Sequence, residues 1–487
     1  MANAEDSDGE LVGGSESTTA KLTLSTMTMM VIGGMVGAGV FSLPARFASQ
    51  TGVLGTLIAW VIAGLGMLML AFVFQALAVR KPDLDAGVYA YAKAGFGEYL
   101  GFFSAFGYWA SICVGNVTYW VLIMSTLGAL FPVLGHGDTV LAAALSSVGV
   151  WVFFLLIRRG TKDAAVLNRI VTIAKMVPIL VFVLLCVFAL DLNTFWANIT
   201  TDMYGGSLFE QVRGTMLVTV FVFLGVEGAS VYSRHAKRRE DVGKATIIGF
   251  LSVFAVFASV TLVSYGILPQ SELADLRQPS MAGVLRAAMG AWGAWFVSIG
   301  LMISVLGAYL AWTLMAAEVL FVAAKDRDMP TFLARSDRND VPRSALLMTT
   351  ILVQVMLVVV LFSENAFNFA LDLTAALTLI PFVLSAAYAL KHALTGESYH
   401  DVPGGRGKEL VIGLLATSYT AFLLVAAGLK FALVSFIIYA PATVLFVMAR
   451  REQGRRLFSA RELVILAVSV IGAIVGIVAL ATGTITF

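Results

Sequence analysis

Within residues 24–48, an apolar run long enough to cross a bilayer, four glycines fall between positions 33 and 39: Gly33-Gly34-Met35-Val36-Gly37-Ala38-Gly39-Val40-Phe41. Glycine is a poor helix former and adopts backbone conformations closed to other residues. At bilayer depth an unwound backbone survives only where it lines a cavity or is buried in protein. The run therefore predicts a first membrane helix broken near its middle. A break of that kind points to a secondary transporter that holds its substrate at the break.

The whole chain supports a membrane setting. Of 487 residues, 59% are hydrophobic and 13% charged, and the net charge is +2; a soluble domain carries about one-quarter charged residues. Mean hydropathy is +0.90. One polytopic membrane domain is expected, with no soluble domain of useful size. The two cysteines, Cys113 and Cys186, both lie in apolar runs, which argues for small buried residues and against a disulfide or metal framework. The four histidines, His136, His235, His392 and His400, form no ligand spacing. Residues 1–20 are acidic and rich in Ser and Gly, and read as a disordered cytoplasmic tail, not a signal peptide.

Apolar runs of about 20 residues or more recur at 24–48, 53–78, 98–131, 138–158, 164–190, 211–234, 245–268, 293–323, 344–362, 367–391, 409–429, 431–450 and 462–484. These are thirteen candidate spans, the third and eighth long enough to tilt. The loops between them alternate in charge. Arg80, Lys81 and Lys93 follow span two, and Arg158, Arg159 and Lys162 follow span four. Arg234, Lys237, Arg238, Arg239 and Lys244 follow span six; Lys325, Arg327, Arg335, Arg338 and Arg343 follow span eight; Arg450, Arg451, Arg455, Arg456 and Arg461 follow span twelve. The intervening loops 132–137 and 191–210 hold no Lys or Arg, Lys430 stands alone, and the loop after span seven holds Arg277 and Arg286. Positive loops stay cytoplasmic, which places the N-terminus inside and, with an odd count, the C-terminus outside.

Span six carries a second disturbance, Phe223-Leu224-Gly225-Val226-Glu227-Gly228. Such glycines alone also serve close helix packing. Spans one and six are each the first of five, however, and units of five spans enter the membrane from opposite sides. The expected fold is an all-α polytopic membrane protein with a five-plus-five inverted repeat, discontinuous helices 1 and 6, and about 13 transmembrane helices. The expected divisions are the tail 1–20, helices 1–5 over 21–192, helices 6–10 over 193–395, and peripheral helices 11–13 over 396–487.

Two breaks offer a specific chemistry. Freed N–H groups at the start of a half-helix suit a carboxylate, and freed carbonyls suit an ammonium group. Together they hold the head of an α-amino acid without charged side chains. Gly37, Ala38 and Gly39 are assigned to the carboxylate, and the backbone of Phe221 and Leu224 to the ammonium. Trp312 lies mid-span in span eight, where its ring face can hold a cation. Asn116 lies mid-span in span three, as a substrate contact or a link between helices. Lys175, Glu227, Glu318 and Asp372 are ionisable residues inside spans, and so functional candidates or interhelical partners.

The segment Gly33-Gly34-Met35-Val36-Gly37-Ala38-Gly39-Val40-Phe41-Ser42-Leu43-Pro44, with Gly225-Val226-Glu227-Gly228, resembles the amino acid–polyamine–organocation superfamily. Further stretches narrow the resemblance: Lys81-Pro82-Asp83-Leu84-Asp85-Ala86-Gly87-Val88-Tyr89-Ala90-Tyr91-Ala92-Lys93, Gly107-Tyr108-Trp109, Val114-Gly115-Asn116-Val117 and Gly228-Ala229-Ser230-Val231-Tyr232-Ser233. These look like the basic amino acid/polyamine antiporter group, and most like its arginine/ornithine antiporters, from about residue 20 onward. The resemblance implies that Asn116 and Trp312 hold a guanidinium side chain, that Phe221 is an aromatic lid, that Tyr108 and Glu227 form a cytoplasmic gate, and that Ser111 and Thr374 line the pocket. It also implies that Lys175 puts its ammonium in a vacated sodium site, making transport sodium-independent and open to proton coupling. Spans one, two, six and seven are implied to move against the others. The sequence departs from the pattern at Ala38 (a serine elsewhere), Phe221 (a tryptophan), Gly34 (an asparagine) and Phe382 (a tyrosine).

The expected activity is exchange of extracellular arginine for intracellular ornithine by alternating access in a cell (inner) membrane. Lysine, arginine/agmatine or histidine/histamine exchange is the nearest rival, followed by a proton-coupled cationic amino acid permease. A channel lacks a filter motif, and an enzyme would want clustered His or carboxylates at one face. The expected partners are the cationic substrates and the lipid bilayer, with a homodimer as a candidate assembly. No nucleic acid, metal, cofactor or catalytic residue is expected.

Overall fold

The structure, a computed structural model, describes residues 23–84, 87–160, 164–199, 206–228, 237–238, 240–337, 341–397, 399 and 405–486, with backbone alone at 164–170 and 240. The N-terminal tail, the second half of span six after Gly228, and Asp85, Ala86, Lys162, Arg234, His235, Arg239, Arg338 and His400 lie outside the described residues.

The described residues form helices α1 (Leu24–Met35), α2 (Leu43–Ala48), α3 (Val53–Arg80), α4 (Val88–Phe96), α5 (Glu98–Gly128), α6 (Val140–Arg158), α7 (Ala164–Ala189), α8 (Leu192–Ala197), α9 (Leu208–Val222), α10 (Glu240–Ser264), α11 (Gln270–Ala274), α12 (Ser280–Met289), α13 (Ala291–Lys325), α14 (Arg343–Val359), α15 (Ala366–Thr395), α16 (Arg406–Ala426), α17 (Gly428–Glu452) and α18 (Ala460–Ala481). Eleven are long and apolar enough to cross a bilayer. The pair Leu24–Met35 and Gly39–Ala48, bent by 44°, makes a twelfth span. The thirteenth, span six, is described only through α9 and the turn after it. The fold is the all-α, five-plus-five arrangement with broken first and sixth spans. Run length alone passed over α4, α8, α11 and α12, because each is too short to cross a bilayer.

Local chemistry sets the ends. Thr23 caps α1 by accepting the Thr26 N–H at 3.3 Å. Ser207 with Glu210, and Ser459 with Glu462, form reciprocal capping boxes at α9 and α18. Gly396, left-handed at φ 73°, ends α15.

Helix α5 is the central post: 94% of its apolar window is buried, against 17% for α18, which therefore lies at the periphery. Helices α15, α13 and α4 pack on α5; α1 packs on α10 and α7; α9 packs on α3 and α15. The loops group by face as their charges anticipate. Lys93 pairs with Asp328 at 2.6 Å, Arg158 with Asp337 at 3.4 Å, and Arg450 and Arg455 with Glu98 at 2.6 and 2.8 Å, all on one face. On that face burial pushes the Asp328 carboxyl up, opposed by the Lys93 ammonium beside it. The opposite face joins the end of α2, the turn after α5 and the segment around α11. There Gln270 donates to the Ala48 carbonyl at 2.9 Å, and Arg277 donates to the Ser125 carbonyl at 2.8 Å.

Candidate binding site at the two helix breaks

Helix α1 ends at Met35, and Val36 is extended (φ −79°, ψ 95°) before a short 3-10 turn, Gly39–Ser42, leads into α2. The amides of Gly37, Ala38 and Gly39 have no hydrogen-bond partner among the described residues. Helix α9 ends at Val222, and turns run from Phe223 to Glu227. Gly225 has φ +102°, and a Cβ there would stand 2.7 Å from the Gly34 carbonyl carbon. Only glycine meets both demands, so the two breaks touch backbone to backbone.

Beside them lies a cavity of about 30 Å³, lined by Gly34, Met35, Gly37 and Gly39 of the first break, Phe221, Val222 and Leu224 of the second, a face of α5, Trp312 and Thr374. The α5 face comprises Tyr108, Ser111, Ile112, Gly115, Asn116 and Tyr119, spaced three and four apart as one helical stripe. No lining side chain carries a charge. The volume holds only one or two waters, and Phe221, Trp312 and Tyr108 are each under 9% exposed, so the site is shut. The Phe221 ring lies against Gly39 and Gly115 and fills the space between the first break and α5.

Asn116 Nδ2 donates to Thr313 Oγ1 at 3.0 Å, while its buried Oδ1 has no partner among the described residues. The lining Thr374 donates its hydroxyl to Ala370 O, and Ser111 donates to Tyr108 O, both at 2.7 Å. The Phe221 carbonyl accepts the Leu224 N–H at 3.3 Å.

Lys175 is fully buried behind the first break. Its Nζ donates to Gly33 O at 2.6 Å and Val36 O at 2.9 Å. These are carbonyls that the end of α1 leaves without helical partners.

The cavity is closed at both ends. The Tyr108 hydroxyl donates to the Glu227 carboxylate, which also accepts the Gly225 N–H at 3.2 Å. At the other end Arg46 of α2 pairs with Asp372 of α15, with side chains 12% and 14% exposed. Asp372 stands two residues before the lining Thr374 on α15, about 200° around the helix from it, and neither Asp372 nor Arg46 lines the cavity.

The comparisons with known proteins fall in line with this geometry. The family model described as amino acid permease matches residues 22–465. The chain is 48% identical over 97% of its length to an arginine/ornithine antiporter of Pseudomonas aeruginosa, covering 100% of that protein. It is 38% identical over 97% to an L-lysine transport protein of Corynebacterium glutamicum, covering 98% of it. It is 36% identical over 96% to an arginine/ornithine antiporter of Latilactobacillus sakei, covering 99% of it. This chain belongs to the amino acid permease family.

The permease gathers most of the residues expected at its site. Gly37, Gly39, Ser111, Asn116, Phe221, Leu224, Trp312, Thr374 and Tyr108 all line the cavity, and Glu227 holds Tyr108. Ala38 does not line it: it is wholly buried at the head of the 3-10 turn, with only its amide in the unwound segment. Glu318 is exposed on α13. It lies six residues beyond Trp312, about 240° around the helix, and so points away from the cavity.

Sequence reading passed over Tyr119, Ile112, Val222, Thr313 and Arg46 in this permease. Tyr119 follows Asn116 by three residues on the same stripe, a periodicity that could have found it. A Cβ on Gly37 would stand 2.9 Å from the Tyr119 hydroxyl, so that ring defines how closely the first break approaches α5. Arg46 carried a signal too, as a cation inside an apolar run.

Proposed function

We propose that this permease is an antiporter that takes up arginine and releases ornithine by alternating access across the cell (inner) membrane. The observation that carries the reading is a closed, uncharged cavity where two helix breaks meet. A charged ligand can be matched there by peptide dipoles, at little desolvation penalty to the protein. The substrate pair follows the printed names of the relatives at 48% and 36% identity.

The Gly37, Ala38 and Gly39 amides take the substrate carboxylate, and the Phe221 and Leu224 carbonyls take its α-ammonium. Asn116 Oδ1 accepts from the guanidinium or side-chain ammonium, which lies on the face of Trp312, with Ser111 and Thr374 completing the wall. Phe221 is the lid that must swing aside, since the present space is too small for an amino acid. Tyr108 and Glu227 gate the basic-loop face, which is cytoplasmic by the charge rule, and the Arg46 end faces outward. Lys175 occupies the place of a coupling cation, so exchange needs no sodium.

Arginine and ornithine carry the same single positive charge. One-for-one exchange therefore moves no net charge and does not respond to membrane potential. The downhill gradients of the two amino acids supply the energy. In reconstituted vesicles, internal ornithine should drive uptake of labelled L-arginine, and empty vesicles should take up none. Equal uptake into empty vesicles under an ion gradient would favour a coupled permease instead. Lysine exchange is the second reading, supported by the 38% identical lysine transport protein. Asn116 Oδ1 can accept from either cationic side chain, and competition of lysine against arginine uptake separates the two.

A further inference from the structure

A second cavity, of about 270 Å³, has Arg46 of the Arg46–Asp372 pair in its wall, and the transport reading above leaves it unused. Its walls come from the end of α2, the turn after α5, the segment after α11 and the start of α15, and they carry Arg46, Asp138, Asp275, Arg277, Glu364 and Asn368. Most of its charged groups have fixed partners. Arg277 is held by the Ser125 and Gly135 carbonyls, Asp138 Oδ1 accepts the His136 amide at 3.0 Å, and Arg46 is paired with Asp372. Asp275 and Glu364 are exposed, and neither carboxylate has an ion pair or hydrogen bond among the described residues. The cavity thus presents unspent negative charge to solvent.

Two buried polar atoms on its walls have no partner among the described residues: the donor Arg46 Nε and the acceptor Asn368 Oδ1. Unmatched buried polar atoms are unusual and mark places where a ligand or water completes the bonding. A donor and an acceptor in the walls of one cavity complement a zwitterion, and two exposed carboxylates there complement a further positive charge.

We propose that this vestibule is an outer waiting site for a cationic α-amino acid, and that the arriving substrate itself opens the Arg46–Asp372 pair. The substrate carboxylate bonds to the Arg46 guanidinium. Its ammonium takes Asn368 Oδ1 and then Asp372, while its side-chain cation lies toward Asp275 and Glu364. Each buried charge exchanges one partner for another, so none is left unpaired during opening, the condition that makes breaking a buried pair costly. A neutral or acidic amino acid lacks the group that the rim attracts. The vestibule therefore selects cations before they reach the central cavity.

The inference rests on the antiport reading, and sidedness separates the two. KM for labelled L-arginine is measured from the outer face in intact cells and from the cytoplasmic face in inside-out vesicles. Two variants are compared with the natural protein: Asp275→Asn with Glu364→Gln, and Asn368→Leu. Both acids are exposed, so the first variant leaves the packing intact. It should raise the outer-face KM on the order of tenfold at low salt and leave the cytoplasmic-face KM unchanged. Added salt should shrink the difference. Asn368→Leu should raise the outer-face KM as well, with less dependence on salt. An unchanged outer-face KM in both variants, or equal rises at both faces, would overturn the waiting site while leaving antiport standing. Absence of exchange by the natural protein would overturn the antiport reading and this inference with it.

Discussion

Lys175 Nζ closes the end of α1 by donating to Gly33 O at 2.6 Å and Val36 O at 2.9 Å, across 142 and 139 residues of sequence. The last carbonyls of a helix lack intrahelical partners and carry the negative end of its dipole. A fixed ammonium both satisfies and neutralises them. The break in the first span is therefore stabilised from behind, while its freed amides face the cavity.

Lys175→Ala leaves these two buried carbonyls without their donor. Exchange should fall on the order of tenfold or more, because the break loses its fixed shape. Replacing sodium by choline should leave exchange by the natural protein unchanged. Sodium-stimulated flux in ornithine-loaded vesicles would disprove the cation-substitute role.

Gly39→Val places a Cβ 2.6 Å from Val222 Cγ1 and 2.8 Å from Phe221 Cδ1. The turn must shift away from the lid, so exchange should drop on the order of tenfold or more even where the protein still reaches the membrane. Normal uptake by Gly39→Val would refute the placement of the substrate carboxylate.

Asn116→Ala removes a buried side-chain acceptor on the cavity wall that has no partner among the described residues. A hydrogen bond to a charged group is worth about 1.5–3 kcal/mol, so arginine affinity should weaken by about tenfold to a hundredfold. Trp312→Leu removes a desolvated ring face worth about 2 kcal/mol, or about thirtyfold. Direct binding of labelled arginine to purified protein measures both, and unaltered affinity in both would move the side-chain pocket elsewhere.

Asp372→Asn leaves the Arg46 guanidinium buried without its counter-ion. Breaking a buried pair from one side costs about 3–5 kcal/mol, whereas an apolar pair of similar volume is close to neutral. Thermal unfolding should therefore occur at lower temperature in Asp372→Asn and recover in Arg46→Met combined with Asp372→Leu. Exchange should stay impaired in the double variant, since the charges that answer the substrate are gone. Recovery of both stability and exchange would reduce the pair to packing.

Much of the site is legible along the chain because it is written in local properties. A missing Cβ at Gly37, Gly39 and Gly225 marks the stretches where the first and sixth spans leave the helix. Charge placement between spans marks which loops share a face, and the ion pairs Lys93–Asp328 and Arg455–Glu98 join loops assigned to one side. Tyr108 and Ser111 come from the family resemblance; helical period sets them on one stripe with Asn116 and extends it to Tyr119.

Partnership is different in kind. Asp372 and Glu318 carry the same signal in one dimension, a carboxylate inside an apolar run. Only packing separates them: α15 turns Asp372 onto Arg46, 326 residues away, while α13 turns Glu318 outward. Ala38 follows the same logic, its side chain rotated off the cavity by the turn it heads. Periodicity and composition act over a few residues, so they mark breaks, faces and spans. Which charge meets which, and which cavity opens beside them, depends on how helices hundreds of residues apart settle against α5, and the folded chain alone decides that.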